Sequence, residues 1–335
     1  VTVRLGPWSV RLAPRSLLVC ATLLAVGCGV GVAAVATGEF TVSVPDILDA
    51  LFGQGTPVAE LIVNRLRAPR VVTGLLVGAA FGAGGAIFQS LTKNPLGSPD
   101  FIGFTAGAST GGIVAVVAGG SAMTIAGGAL AGCVVTAVLV YALAFRRGVQ
   151  GYRLVLVGIG ANTLLLAVNN YLLTRANIND AATAGAWLTG SLSGRGWDHA
   201  IPVAVALAVL LPVCAAVARP MRMIEMGDDA AKAMGVRVEA VRAAAITAGV
   251  LLTGVATAAA GPVVFVALAA PQIARRLTRS PGVTMGASAL MGAVLLTASD
   301  LVAQRLLAPT QLPVGVVTAA DGGTYLALLL RKDRH

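Results

Sequence analysis

Long apolar runs recur along almost the whole chain, each bounded by charged or turn-forming residues, and no other feature leaves so little choice of fold. They fall at 16–37, 70–91, 101–119, 122–145, 154–174, 199–218, 243–274, 283–304 and 312–330. A helix needs roughly 20 mostly apolar residues to cross a hydrocarbon core about 30 Å thick. Of the 335 residues, 57% are hydrophobic and 11% charged, against about 25% charged in a soluble domain. The expectation is an all-α, polytopic membrane protein with one transmembrane domain over 1–335 and no soluble-domain boundary.

The run at 243–274 is too long for one span and short for two, and Gly261-Pro262 breaks its middle. Arg237 and Arg242 precede it while Arg275, Arg276 and Arg279 follow it, so both ends read as cytoplasmic and the chain crosses an even number of times. Two short spans or a deep hairpin satisfy that parity. The total is then about ten crossings with both termini cytoplasmic. Of the 24 basic residues, 18 fall in segments assigned inside and 6 outside, the bias expected of a multi-pass protein of the cytoplasmic membrane. The apolar run after Arg4, Arg11 and Arg15 resembles a signal peptide but is longer than an h-region, and reads as a first, uncleaved span.

The net charge of +10 is spread between apolar runs instead of gathered on one soluble face, so nucleic acid is not an expected partner; membrane lipid is. Cys20, Cys28, Cys133 and Cys214 lie inside apolar runs with no metal-ligand spacing, and His199 and His335 are isolated. No metal site is expected. There is no HExxH, no Ser/His pair within spans and no P-loop, so the chain reads as neither an intramembrane enzyme nor an ATPase. Glycines at four-residue spacing, Gly74, Gly78 and Gly82, then Gly103, Gly107 and Gly111, leave smooth stripes for close helix packing.

The longest polar interruption assigned inside, 220–242, contains a short-helix pattern. Asp228 suits the N-cap, Asp229 the helix dipole, Lys232 the far end and Gly235 the stop. An ordinary connecting loop is the plain reading; a docking surface for a cytoplasmic partner is the sharper one.

Several separated motifs then carry a resemblance: Arg67-Ala-Pro-Arg70, Gln89-Ser-Leu-Thr-Lys-Asn-Pro-Leu-Gly-Ser-Pro99, Trp187-Leu-Thr-Gly-Ser-Leu192 with Trp197, Met226-Gly-Asp-Asp229, Gly261-Pro-Val-Val-Phe-Val266, Pro271-Gln-Ile-Ala-Arg-Arg276 and Leu312-Pro-Val-Gly-Val-Val-Thr318. In this order and over nearly the whole chain, the sequence resembles the FecCD-type permeases of ATP-binding-cassette importers, which carry ferric siderophores, haem and cobalamin. The resemblance implies the type II importer fold, a second permease chain, identical or related, around a central path, an ATPase below and an external substrate-binding protein above. ATP and Mg would be bound by the partner ATPase, and no cofactor by this chain.

By the same resemblance, Gly227, Asp228, Asp229, Ala230, Lys232 and Gly235 belong to a helix that couples to the ATPase. Arg67 and Arg70, with Arg305 as a third position, would pair with carboxylates of the binding protein. Asn94, Pro95 and Leu96 would form part of a cytoplasmic gate, with Gly151 and Tyr152 as its other half.

Asp321 departs from the family pattern, which has an apolar residue in mid-span; an aspartate there must be paired or face water, and it is a possible pathway residue. Asn162, Asn169, Asn170 and Gln89 read first as interhelical hydrogen-bonding groups, and Asp300 as half of an ion pair near the end of its span, close to Gln304 and Arg305. The expected cargo is a metal chelate, with a ferric siderophore ahead of cobalamin or haem. An ion-gradient transporter is the rival from another class, for which Asp321 and Asp300 are the scant acidic candidates.

Overall fold

The computed structural model describes residues 2–5, 8–11, 14–38, 40–145, 151–280, 282 and 284–332. Arg146, Arg147, Arg334 and His335, which entered the sequence reading, lie outside the described residues. A two-stranded antiparallel hairpin, β1 (Thr2–Leu5) with β2 (Trp8–Arg11), is the departure from an otherwise helical chain.

Among the described residues, ten helices occupy the apolar stretches. They are α1 (Pro14–Ala36) and, after two short helices α2 (Val44–Leu51) and α3 (Pro57–Glu60), α4 (Ala68–Thr92), followed by α5 (Phe104–Val117), α6 (Ala122–Ala144) and α7 (Gly151–Arg175). Beyond α8 (Ile178–Leu188) come α9 (Trp197–Glu225) and, after the short polar helix α10 (Asp228–Ala233), α11 (Val238–Ala260), α12 (Val266–Thr278), α13 (Met285–Arg305) and α14 (Val314–Lys332). Among the described residues, seven are long and apolar enough to cross a membrane, and α5 is a shorter apolar helix. The doubtful run resolves into α11 and α12, separated at Gly261–Phe265. Gly261 supplies φ +77°, and Phe265 takes a left-handed φ of +69°, a conformation that costs a non-glycine residue roughly 1–3 kcal/mol.

The extra helices lie where the sequence is mixed. Ser43 caps α2 by accepting from the Asp46 N–H, while Ile47 and Ala50 turn inward. Asn177 caps α8 in the same way through Asp180. α3 passes through a π-helical stretch, Leu61–Arg67, directly into α4, so this helix begins earlier than its apolar run.

α4 is the hub, buried between α9, α11, α12 and α13. Its glycines explain how. A Cβ at Gly78 would overlap the Gly292 carbonyl, and one at Gly82 the Ser288 carbonyl, so the α4 and α13 backbones touch. Likewise Gly107 and Gly111 of α5 lie against Thr136 and Gly128 of α6. Without a hydrophobic drive between helices in lipid, such contacts carry association by dispersion. α7 is the contrast: along its length only Leu154, Gly158 and Asn169 are buried.

Candidate functional site

One end of the bundle carries α10. Gly227, at φ +127°, occupies the N-cap position, so Asp228 does not cap the helix as its sequence pattern predicts. Its carboxylate instead accepts from Arg242 of α11 at 2.7 Å. Arg242 has 11% of its side chain exposed and also donates to Glu239, while Asp228 has 38% exposed, so α10 is pinned to α11 by a charge pair shielded on its arginine side. Ala231 tucks under, against Ile224 and Val238. Asp229, Ala230 and Lys232 face outward, and Gly235, at φ +82°, ends the unit. Exposed Met226 and Met234 flank the helix. Met226 stands in a family-like motif and Met234 in none, and it is exposure that marks both as adaptable apolar side chains of the kind used at protein interfaces.

At the same end, Lys93 takes a left-handed conformation that stops α4. The Asn94 side chain accepts from the Leu96 N–H at 2.9 Å, an Asx turn closed by proline. Gln272 of α12 reaches Pro95 O at 3.4 Å, and Leu96 is exposed. A Cβ on Gly151 would meet Leu91 O at 2.8 Å and Thr92 Cα at 2.9 Å, so the start of α7 lies on the last turn of α4. The two segments expected to form a gate are therefore neighbours, with Tyr152 exposed beside them.

Above this turn an open cavity of about 450 Å³ lies between α5, α7 and the α11–α12 break. Asp100, Thr105, Asn162, Asn169, Asn170 and Phe265 are among its lining residues. Thr105 donates to Asp100 at 2.7 Å. Asn169 bonds to Thr110 at 2.6 Å and to the Ala106 carbonyl at 3.4 Å, so it ties α7 to α5 as expected. Asn162 and Asn170 also line the cavity. Polar groups on a helix this uncovered suit water or a partner chain better than hydrocarbon. Asp321 on α14 is exposed and accepts from Ser299 of α13 at 3.2 Å. Next to it, the Phe265 ring fills the space left by Gly322.

The opposite end gathers the arginines. Arg67 donates to Val35 O at 2.7 Å and Phe40 O at 2.6 Å. Arg70 grips Asp300 through two 2.9 Å bonds and also reaches Gln311. The ion pair expected of Asp300 is thus made across helices to Arg70, and Gln304 adds a 2.8 Å bond to the same carboxylate. Arg305 is exposed and close enough for its charge to act on Arg67. The three arginines do share one end, yet Arg67 and Arg70 already serve the fold.

The description of the FecCD transport family matches residues 23–332. The chain belongs to that family. Among curated relatives of this FecCD protein is the ferric enterobactin transport system permease protein FepG of Escherichia coli (strain K12), 46% identical over 95% of this chain and 97% of its own. The probable siderophore transport system permease protein YfhA of Bacillus subtilis (strain 168) is 36% identical over 96% of both chains. In fold, the FecCD chain matches a solved metal-chelate type ABC transporter in an inward-facing conformation, with a TM-score of 0.83 at 24% identity, over 94% of this chain and 99% of that one.

Proposed function

We propose that this multi-pass membrane protein is the permease subunit of an ATP-binding-cassette importer that moves a ferric siderophore across the cytoplasmic membrane. The observation that carries the reading is the 46% identity, along 95% of the chain, to a permease named for ferric enterobactin transport. Both termini are cytoplasmic in this reading, so α10 and the Asn94–Leu96 turn lie inside and the arginines outside. A cytoplasmic ATPase docks on Asp229, Ala230, Lys232 and the flanking methionines, with Gly227, Asp228 and Gly235 shaping that helix. ATP and Mg are bound by that partner. A second permease copy or relative covers α7, and the cavity with Asp321 forms half of the path between them.

Outside, a substrate-binding protein meets Arg305 first. A docking role for Arg67 and Arg70 requires a carboxylate of that protein to displace the present partners, which guanidinium geometry permits. The cargo test is uptake by iron-starved cells lacking this chain. Labelled ferric siderophore uptake should vanish and return when the gene is restored, while cobalamin uptake is unaffected. Loss of cobalamin uptake with intact siderophore uptake would overturn the assignment.

A further inference from the structure

The turn after α4 and the stem of α10 are joined by a contact that the duties of neither segment require. Ser90, in the last turn of α4, donates its hydroxyl to Glu225 Oε1 at 2.6 Å. Glu225 is the last residue of α9 and stands three positions before α10 begins. Four positions beyond Ser90 lies Asn94.

Gln89, next to Ser90, faces the other way. It donates to Leu268 O at 2.9 Å and accepts from Gln272 at 2.6 Å, and Gln272 also reaches Pro95. Two adjacent residues of one helical turn therefore hold opposite neighbours, the stem of α10 on one side and α12 with the Asn94–Leu96 turn on the other. Ser90 is only 7% exposed and Glu225 half-buried, and a hydroxyl donating to a charged carboxylate makes one of the stronger kinds of hydrogen bond. Gly282 lies against the pair: a Cβ there would stand 3.2 Å from both Glu225 Oε2 and Arg222 Cδ.

A push on α10 has two polar routes into the bundle among the described residues. The Asp228–Arg242 pair leads to α11, and the Glu225–Ser90 bond leads to α4. We infer that the second is the link by which movement of α10 reaches the Asn94–Leu96 turn, making Ser90 and Glu225 positioning residues of the transport cycle. The inference rests on the reading of α10 as the ATPase-docking helix.

The test uses the full chain reconstituted with its ATPase and binding protein, and reads labelled ferric chelate moved per ATP hydrolysed. S90A and E225A should each lower that ratio about tenfold, the scale of one lost hydrogen bond to a charged acceptor. The double variant should fall no further than either single one, because both remove the same contact. S90T, which keeps the hydroxyl, should restore the ratio. A merely structural tie would lower the melting temperature and leave the ratio alone.

Should E225A fail to fold, S90A against S90T carries the comparison. Wild-type ratios in S90A, or losses in the two single variants that multiply, would overturn the link while leaving the importer reading intact. A wild-type complex without ATP-dependent uptake would overturn the importer reading and the link together.

Discussion

Arg70 of α4 and Asp300 of α13 meet through two parallel hydrogen bonds, Nε to Oδ2 and Nη2 to Oδ1, each 2.9 Å. Below them the same two helices pass Gly74 against Thr297, Gly78 against Gly292 and Gly82 against Ser288. The charge pair and the glycine stripe thus run in one antiparallel register, and the pair sets where that register starts.

Removing both halves of the pair should therefore cost less than the two single losses combined. With side chains only 12% and 4% exposed, R70A or D300A leaves a shielded charge without its counter-ion and should destabilise the protein by about 3–5 kcal/mol. The R70A/D300A double variant should lose less than the sum of the two. Thermal unfolding in detergent measures it; additive losses would show that the two residues act separately.

Along the stripe, the obstacle is backbone. Replacing Gly78 or Gly82 with valine pushes α4 off α13 and should cost at least the ~1–3 kcal/mol of an overpacked core, seen as lost monodisperse protein. Gly286 of α13 has nothing near its Cβ position, so G286A should behave as wild type. Equal behaviour of G78V and G286A would contradict the packing account.

At the other end, Asp228 and Asp229 should separate although they are neighbours. D228A releases Arg242 and loosens α10, whereas the Asp229 side chain is fully exposed with Lys232 3.8 Å away. Co-purification with the ATPase should weaken in D228A beyond its loss in D229A, and M226D or M234D should abolish it by burying a charge. An unchanged complex in all four would remove α10 as the docking helix.

Phe265 should be sensitive through a residue it touches. A leucine at Gly322 cannot share space with its ring, so G322L should displace the α11–α12 break and stop uptake while the chain still inserts in the membrane. Retained uptake would show that this contact is incidental.

The ten main helices were legible because a membrane span is a local, compositional signal, and because the Gly261-Pro262 break combined with charge parity forced two helices into 243–274. α2 and α8 escaped because they are short and amphipathic, and their caps, Ser43 and Asn177, look like ordinary loop residues until the helices exist. Asp228 has the chemistry of a cap, but Gly227 took that position and freed the carboxylate for a partner 14 residues on. Arg70 and Asp300 were each visible as charged residues near span ends. Their pairing across 230 positions follows from the α4–α13 register, which no local pattern encodes. Ser90 and Glu225, 135 positions apart, meet through the packing of α4 on α9, which is equally non-local.

Uptake into proteoliposomes would show whether this FecCD protein is the path of an ATP-driven importer. They would hold this chain with its partner permease and ATPase, with the binding protein and labelled ferric siderophore outside. Accumulation should require ATP on the ATPase side and survive an ionophore that collapses ion gradients. Accumulation that proceeds without ATP and disappears with the ionophore would contradict an ATP-driven path.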